Sequence, residues 1–382
     1  MNSRERVQAA LEHQEADRVP FDFGGTPFSG MHITAIENLR RYLGLPQTEV
    51  KTWDTLTQLG VIDDDLLDRL ESDCRNMGPR SSFDYHMVFR DEGDYSAFTD
   101  EWGVAWRMPK KGGFYYDMYY HPMADANTIS DLKDYKWPDP LDDNRFVGVR
   151  AQAQAARDQG KTVVLGGFCA GITEMHAWLR GFINYFMDFH LNPSLAEYIM
   201  DQVTERKMAY WERMLAEVGD LADVMIEADD MAGQDNVLIS PTSYRQYIKP
   251  RHTKLFNYMK AKAPHVKVFF HTCGAIRPFI PDLIESGVEI LNPVQKSAAG
   301  MDLVELKKEF GNDVTFWGGG VDTQRVLPHG TPAEVRDDVR RNIEALAPGG
   351  GFVFATIHDA QADVPPENFM AMWETLQEYG VY

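Results

Sequence analysis

The chain has 382 residues, of which 44% are hydrophobic and 12% aromatic, a composition typical of a well-packed globular enzyme and unlike that of a disordered protein. Its 58 acidic residues outnumber the 38 Lys and Arg residues, giving a formal charge of −20, which argues against nucleic acid as a partner. No apolar stretch approaches the ~18 residues needed to span a bilayer, and the opening residues lack the apolar core of a signal peptide. Because the 3 cysteines are also too few for a disulfide framework, we expect a soluble cytoplasmic protein.

Short apolar runs alternate with helical segments along most of the chain, as expected for parallel strands that are buried on both faces. The predicted strands are 18–25, 162–168, 223–230, 266–274, 288–294, 314–320 and 351–359. Asn192, Ser240 and Thr331 each precede a proline, which is the pattern of a helix start. With an eighth strand expected near residues 49–53, the alternation predicts an α/β protein folded as a (β/α)8 TIM barrel.

Residues 80–140 break this alternation. The stretch 86–109 reads HMVFRDEGDYSAFTDEWGVAWRMP, which is rich in aromatic residues and predicts antiparallel hairpins. We interpret residues 80–140 as an insertion that covers the active-site mouth of the barrel, within a single domain spanning residues 1–382. An ordinary surface excursion would fit the same pattern.

The working groups of TIM barrels lie at the carboxyl ends of the strands. In this chain, metal-ligating and titratable side chains are concentrated at the predicted strand ends. They are Asp22, Cys169, Glu227, Asp229, Asp230, His271, Cys273, Asn292, Asp322, His358 and Asp359. We interpret Cys169 as a buried core residue, and Asp322 fits a turn cap as well as a site.

His271 and Cys273 end the strand VKVFFHTCG, and side chains two positions apart in a strand point to the same side. His358 lies at the end of another predicted strand. Two imidazole nitrogens and a thiolate suit zinc, and three protein ligands leave the open fourth position that catalytic zinc sites need. Taken alone, the pair His271 and Cys273 fits a packed core edge equally well.

Three carboxylates follow one strand. Alternation places Glu227 and Asp229 on one face, and we expect that face to be the lumen. Glu227, Asp229 and Asp230 would then take part in catalysis, by ligating the metal, orienting a ligand histidine or holding substrate. Gln234, just downstream, and Asp322 are candidate substrate-binding residues. The alternative is a solvated acidic loop.

Four segments of the chain, taken together, indicate a known protein family. They are RVPFDFGG, ISPTSYRQYIKPRHTKLFNYMK, WGGGVDTQRVLPHGTPAEV and GGFVFATIHDAQADVPPENFMAM. In these segments the chain resembles the uroporphyrinogen decarboxylase superfamily, over nearly its full length. The last is the most specific, because it places a histidine seven residues before a Pro-x-Glu-Asn motif. The resemblance implies a (β/α)8 barrel, in agreement with the alternation above.

The superfamily contains two chemistries. Its decarboxylases use no metal and carry an arginine-containing segment after the first strand, whereas this chain has FDFGGTPFSGMH there, without arginine. Its zinc-dependent methyltransferases work with corrinoid proteins and carry a His-x-Cys pair, which matches His271 and Cys273. The third ligand, a cysteine in the coenzyme M enzymes, falls at His358, a position where decarboxylases also have histidine.

The resemblance therefore implies a methyltransferase that binds Zn²⁺ through His271, Cys273 and His358. It would move a methyl group between a corrinoid carried on a partner protein and a small substrate, either a methoxylated aromatic or similar methyl donor or a thiol acceptor. A histidine in place of a thiolate makes the metal a stronger Lewis acid, which favours methyl ether cleavage. Aromatic side chains of the insertion that suit such a substrate are Phe114, Tyr115, Tyr116, Tyr119 and Tyr120.

Two alternatives remain at this point. One is a decarboxylase of porphyrin biosynthesis with a remodelled entrance to its site. The other is a non-catalytic barrel that binds a corrinoid or a metal. A homodimer is compatible with each of these three interpretations.

Overall fold

The computed structural model describes residues 1–382. The strands are β1 (Thr52–Asp54), β2 (Leu59–Gly60), β3 (Cys74–Met77), β4 (Arg90–Glu92), β5 (Tyr95–Thr99), β6 (Ala105–Pro109), β7 (Asp117–Tyr120), β8 (Thr162–Leu165), β9 (Val224–Ala228), β10 (Lys267–His271), β11 (Ile290–Asn292), β12 (Thr315–Trp317) and β13 (Phe352–Val353). The helices are α1 (Ser3–Leu11), α2 (Ile33–Tyr42), α3 (Asp64–Arg69), α4 (Val149–Asp158), α5 (Ile172–Arg180), α6 (Phe182–Leu191), α7 (Pro193–Val218), α8 (Pro241–Ser243), α9 (Lys249–Lys262), α10 (Ile280–Ser286), α11 (Leu303–Phe310), α12 (Val326–His329), α13 (Pro332–Leu346) and α14 (Pro366–Tyr379). Single turns of tighter or wider helix occupy Ile129–Leu132, Asp143–Phe146, Tyr244–Ile248 and Arg277–Phe279.

Seven parallel strands form one curved sheet, in the order β13-β12-β11-β10-β9-β8-β3. The segment 19–22 fills the gap between its two edges. On one side the Phe354 amide donates to Pro20 at 2.8 Å and the Asp22 amide donates to Phe354 at 2.9 Å. On the other side the Asp73 amide donates to Phe21 at 2.8 Å. The sheet is thereby closed into an eight-membered ring, and the predicted TIM-barrel fold is confirmed.

The eighth strand does not lie where the sequence analysis placed it. Thr52–Asp54 instead pairs antiparallel with Leu59–Gly60 in a hairpin outside the ring. The place in the barrel belongs to β3, which pairs with Thr162–Leu165 of β8. The four residues Cys-Arg-Asn-Met lack the β-branched and aromatic side chains that mark a strand locally, so pairing with the barrel determines this strand.

The amino-terminal end of the barrel is closed by α1. Val7 and Leu11 pack with the side chains that fill the lumen. The Gly351 amide, just before β13, donates to the carbonyl of Ala10 at 3.1 Å and fixes the helix against the ring. The lumen is therefore accessible from the carboxyl ends of the strands. None of the helices combines the length and the apolar character that crossing a bilayer requires.

Strands β4 to β7 form a separate four-stranded antiparallel sheet within the segment predicted to be an insertion. Its central pair aligns Tyr95 with Pro109 and Thr99 with Ala105. The Tyr116 amide donates to the carbonyl of Leu56 at 2.9 Å and ties this sheet to the β1–β2 hairpin. These antiparallel elements carry the aromatic side chains that reach the cavity described below.

Candidate metal centre

A cavity of about 980 Å³ opens at the carboxyl ends of the barrel strands. Its walls carry six aromatic side chains, and its polar groups come from the strand ends, from the β1–β2 hairpin, and from α4 and α5. The lining residues used below are Phe28, Asn76, Arg80, Trp106, Tyr115, Tyr116, Gln152, Cys169, Glu174, Trp178, Glu227, Asp230, His271, His358 and Asp359. A concave, mostly apolar pocket with a few convergent polar groups is typical of a small-molecule site.

Three residues at the carboxyl end of the barrel each offer a metal-binding atom; His271 and His358 line the cavity, and Cys273 adjoins them. The ligand atoms of His271, Cys273 and His358 all lie within 4.8 Å of one another. The shortest measured separation, 3.4 Å, joins Cys273 Sγ to His271 Nε2. His271 ends β10, Cys273 follows it on the same side, and His358 lies in the turn after β13. The structure thus brings together the three residues that the sequence analysis selected as ligands.

The ring of His271 is held on two sides. Its Nδ1 lies 2.5 Å from Asn292 Oδ1, and Asn292 Nδ2 donates to the carbonyl of Trp317 at 2.8 Å. Because the amide nitrogen of Asn292 is engaged in this way, its oxygen must accept from His271 Nδ1–H, which leaves Nε2 as the free lone pair. The ring of Phe28 stacks on the imidazole with a centroid separation of 3.5 Å and a tilt of 12°.

His358 is positioned by its backbone and by the next residue. Its φ of +74° is in the left-handed region, which non-glycine residues adopt rarely and at a cost of about 1–3 kcal/mol. This turn brings the His358 ring to 5.2 Å from that of His271. Asp359 Oδ2 lies 3.1 Å from His358 Nδ1, and Asp359 Oδ1 accepts from the Gly30 amide at 2.7 Å. The Asp359 amide donates to the same Nδ1 at 2.9 Å, so the residue after His358 fixes the ring through both its backbone and its carboxylate.

The protonation states of the three residues differ. Burial, together with repulsion from His358, lowers the pKa of His271 to about 3, so this imidazole is neutral at physiological pH. Burial alone would lower the pKa of His358, but the nearby carboxylates, that of Asp359 foremost, together more than offset it and the pKa is raised. Burial and the nearby Asp230 carboxylate raise the pKa of the Cys273 thiol. A cation at this position would favour the thiolate over the thiol.

Glu227 and Asp229 share one face of β9, but that face is not the lumen. Val224 and Ile226 pack in the lumen cluster, so the alternate residues point outward against the helices. Glu227 pairs with Lys207 at 2.7 Å and accepts from Trp211 Nε1 at 2.6 Å, both on α7. Although Glu227 borders the cavity, these bonds occupy its carboxylate.

Asp229 is fully buried and lies outside the cavity lining. It accepts from the Thr173 and Glu174 amides at 2.9 and 3.0 Å, and it lies 3.0 Å from His252 Nε2. It therefore caps the amino terminus of α5 from a neighbouring strand. The prediction that Asp229 faces the lumen and touches the metal or substrate is wrong, because the alternation of β9 sends it the other way.

Asp230 is the carboxylate of this group that faces the cavity. Its Oδ1 accepts from the Cys273 amide at 2.7 Å and lies 3.9 Å from His271 Nε2. Glu174, at the start of α5, lines the same part of the cavity. Burial and repulsion from Asp230 and Asp229 raise the pKa of Glu174 to about 8. Two carboxylates thus flank the ligand residues, of which the sequence analysis identified only Asp230.

Two predicted substrate-binding residues lie elsewhere. Gln234 is exposed, donates to the Ser297 carbonyl at 2.6 Å and accepts from Gln295 at 2.9 Å. Asp322 Oδ1 accepts from the Gln324 and Arg325 amides at 2.8 and 3.0 Å. Neither residue lines the cavity. Asp322 is a turn cap, because its carboxylate is satisfied by the two amides that follow it.

The aromatic residues of the insertion divide between cavity and surface. Tyr115 and Tyr116 line the cavity, whereas Phe114, Tyr119 and Tyr120 do not and are exposed. Cys169 also lines the cavity and is only partly buried, although it was interpreted as a core residue.

Phe28, Glu174 and Arg80 were missed by the sequence analysis. Each lies in a loop or at a helix start, where hydrophobic periodicity carries no signal. Glu174 had one usable signal, its position three residues after Gly171, because its carboxylate accepts from the Gly171 amide at 3.0 Å.

Comparison with known proteins places this barrel and its cavity in a family. The family model described as Uroporphyrinogen decarboxylase (URO-D) matches residues 103–379, more than half of the chain. A uroporphyrinogen decarboxylase from Trichlorobacter lovleyi is 24% identical over 252 residues, which cover 64% of this chain and 68% of that protein. The solved structure of a methyltransferase from Methanosarcina mazei is 19% identical with a TM-score of 0.66, covers 99% of both chains and shows the same fold. The chain belongs to the uroporphyrinogen decarboxylase family.

Proposed function

We propose that this protein is a zinc-dependent methyltransferase, which moves a methyl group between a small substrate and a corrinoid carried on a partner protein. The observation that carries the proposal is the convergence of the ligand atoms of His271, Cys273 and His358 within 4.8 Å of one another, beside the cavity. The fold shared with the Methanosarcina mazei methyltransferase over 99% of both chains supports it.

The donor set fits zinc. With Zn–N near 2.0–2.1 Å and Zn–S near 2.3 Å, tetrahedral ligand atoms lie roughly 3.3–3.8 Å apart. The 3.4 Å between Cys273 Sγ and His271 Nε2 falls in this range. Asn292 accepts from Nδ1 of His271 and orients that imidazole from behind, as outer residues do around bound zinc. Three protein ligands would leave a fourth position on the metal for a substrate atom, as catalytic zinc sites need.

Zinc bound here would act as a Lewis acid on a methyl ether oxygen or on an acceptor thiol. The chain itself supplies the surroundings. Phe28 packs on His271 and limits its motion, and Trp106 and Trp178 pack edge to face at 4.9 Å in the cavity wall. These aromatic side chains offer flat surfaces to an aromatic substrate. A methyl ether is the favoured substrate, because His358 in place of a thiolate makes the bound metal a stronger electrophile.

The decarboxylase alternative fits the cavity less well. Porphyrinogen substrates of the superfamily's decarboxylases carry many carboxylates, and binding them calls for several cationic side chains. The cavity is lined by one such residue, Arg80, whereas five carboxylate residues border it. Those five are Asp54, Glu174, Glu227, Asp230 and Asp359.

The test compares zinc-loaded protein with protein stripped by a chelator. Each form is mixed with cob(I)alamin and a methoxylated aromatic compound, and separately with methylcobalamin and a thiol, and the absorbance of the corrinoid is followed. We expect transfer with the zinc form, loss on stripping and recovery when zinc is returned. Full activity in the stripped form, or metal-independent decarboxylation of uroporphyrinogen, would contradict the proposal. Zinc binding without transfer in either direction would favour the non-catalytic barrel.

A further inference from the structure

One cationic side chain in the cavity has no partner within the protein. Arg80 is the only Lys or Arg among the lining residues. Its backbone bonds to Arg145, but its guanidinium neither donates a hydrogen bond nor forms an ion pair. Most other arginines of this acidic chain pair with a carboxylate, as Arg145 does with Glu101 at 2.8 Å. A free guanidinium beside a cavity is suited to an anionic ligand group.

A second free donor lies beside Arg80. The side chain of Gln152, on α4, lines the cavity and makes no hydrogen bond within the protein. Both side chains converge on Gly148. A Cβ built on Gly148 would lie 3.6 Å from Gln152 Nε2 and 3.7 Å from Arg80 Nη2. A guanidinium and a carboxamide close together offer several N–H groups to one carboxylate.

The position of these donors sets the direction of a bound molecule. Arg80 follows β3, which is separated from β10 by β8 and β9 in the ring of eight. The Arg80 side of the mouth is therefore nearly opposite His271 and Cys273. Asp230, whose Oδ1 lies 3.9 Å from His271 Nε2, stands beside those ligand residues and disfavours a second anion there. A molecule with one anionic end would place that end at Arg80 and its other end at the ligand residues.

We infer that Arg80 and Gln152 form a carboxylate-binding subsite, and that the substrate is a methoxylated aromatic acid. The carboxylate lies at Arg80, the ring lies between the aromatic walls, and the methoxy group points to His271, Cys273 and His358. This inference rests on the proposed function for the role of the methoxy group. The carboxylate subsite itself can be tested by binding alone.

The experiment measures binding of 3-methoxybenzoate and of its neutral analogue 3-methoxybenzamide to the zinc-loaded protein by calorimetry. We expect the benzoate to bind about tenfold more tightly, as one charge-assisted hydrogen-bonded contact at a partly exposed site allows. Arg80→Gln should abolish this difference and leave the benzamide unchanged. Arg80→Lys should keep part of it, because lysine retains the charge and loses the planar fork.

Arg325→Gln is the matched control. Arg325 is also exposed and unpaired, but it lies outside the cavity, so both affinities should equal those of the wild type. Thermal unfolding of each variant checks the fold. Equal binding of the benzoate by wild type and Arg80→Gln, or no binding of the benzoate by wild type, would overturn the inference. Arg80-dependent benzoate binding without methyl transfer would support the subsite and count against the proposed function alone.

Discussion

Acidic residues lie on both faces of the chain at the carboxyl end of β9, but the groups that surround them differ between the two faces. On the outer face, Glu227 and Asp229 have their carboxylate oxygens occupied by Lys207, Trp211 and backbone amides of α5. On the lumen face, Asp230 borders the cavity near Cys273 and His271, whose free ligand atoms point at one another. A carboxylate whose two oxygens both accept from buried donors contributes to the fold, whereas a thiol sulfur and an imidazole Nε2 that lie within hydrogen-bonding distance only of each other, beside a cavity, are available to a ligand.

This difference gives a criterion for the whole site. Acidic residues at the end of β9 occur on both faces, so neither the residue type nor the position at a strand end tells a functional residue from a structural one. The pattern of satisfied hydrogen bonds does separate them, because a buried polar group needs partners whether or not it takes part in chemistry. The three predictions below test whether the outer face acts on stability and the lumen face on metal.

The largest expected effect is on the lumen face. Cys273→Ala removes the only sulfur ligand, so zinc should fall from about one per chain to below about a tenth, with loss of methyl transfer. Metal content is measured on purified protein by mass spectrometry. Cys169→Ala is the matched control, because Cys169 lines the cavity but is not among the three ligand residues. An equal zinc content in the two variants would contradict the assignment of Cys273 as a zinc ligand.

The second largest expected effect is a loss of stability when a carboxylate on the outer face, that of Glu227, is removed. Glu227→Gln keeps the size of the side chain and leaves the Lys207 ammonium, which is fully buried, without its counter-ion. We expect a loss of about 3–5 kcal/mol in the free energy of unfolding, measured with urea, while zinc per folded chain stays constant. Glu285→Gln, which breaks an exposed pair with Lys249, should cost about 0–1 kcal/mol. A normal stability with lost zinc would place Glu227 in the metal site instead.

The smallest expected effect is that of replacing Asn292, which contacts His271 at Nδ1 rather than at the Nε2 atom that lies near Cys273. Asn292→Ala removes the acceptor that orients His271, so zinc affinity should fall about 10–100-fold while the stoichiometry at saturating zinc is kept. Competition with a chromophoric chelator measures the affinity. The matched control is Gln234→Ala, a second amide side chain that lies outside the cavity. An unchanged affinity in Asn292→Ala would show that packing by Phe28 alone holds the His271 ring.

The sequence by itself determined the barrel and selected the three residues, His271, Cys273 and His358, that converge at its mouth. The alternation of apolar runs and capped helices predicted parallel strands, because strands covered on both faces must be apolar throughout. The spacing of His271 and Cys273 predicted a shared face, because strand geometry repeats every two residues. Their position at the end of a strand predicted that both side chains lie at the mouth formed by the carboxyl ends of the barrel strands. Each of these features depends on local chemistry, which a sequence displays directly.

Other features were decided only by the tertiary structure. β3 is a strand because β8 pairs with it, and its residues Cys-Arg-Asn-Met have no strong preference for that conformation. Which face of β9 meets the lumen depends on the register of the ring, which local alternation does not fix. His358 reaches the other ligands through a left-handed turn at φ +74°. Arg80 and Gln152 meet because β3 and α4 are adjacent in the folded chain, and contacts between distant segments leave no periodic trace in a sequence.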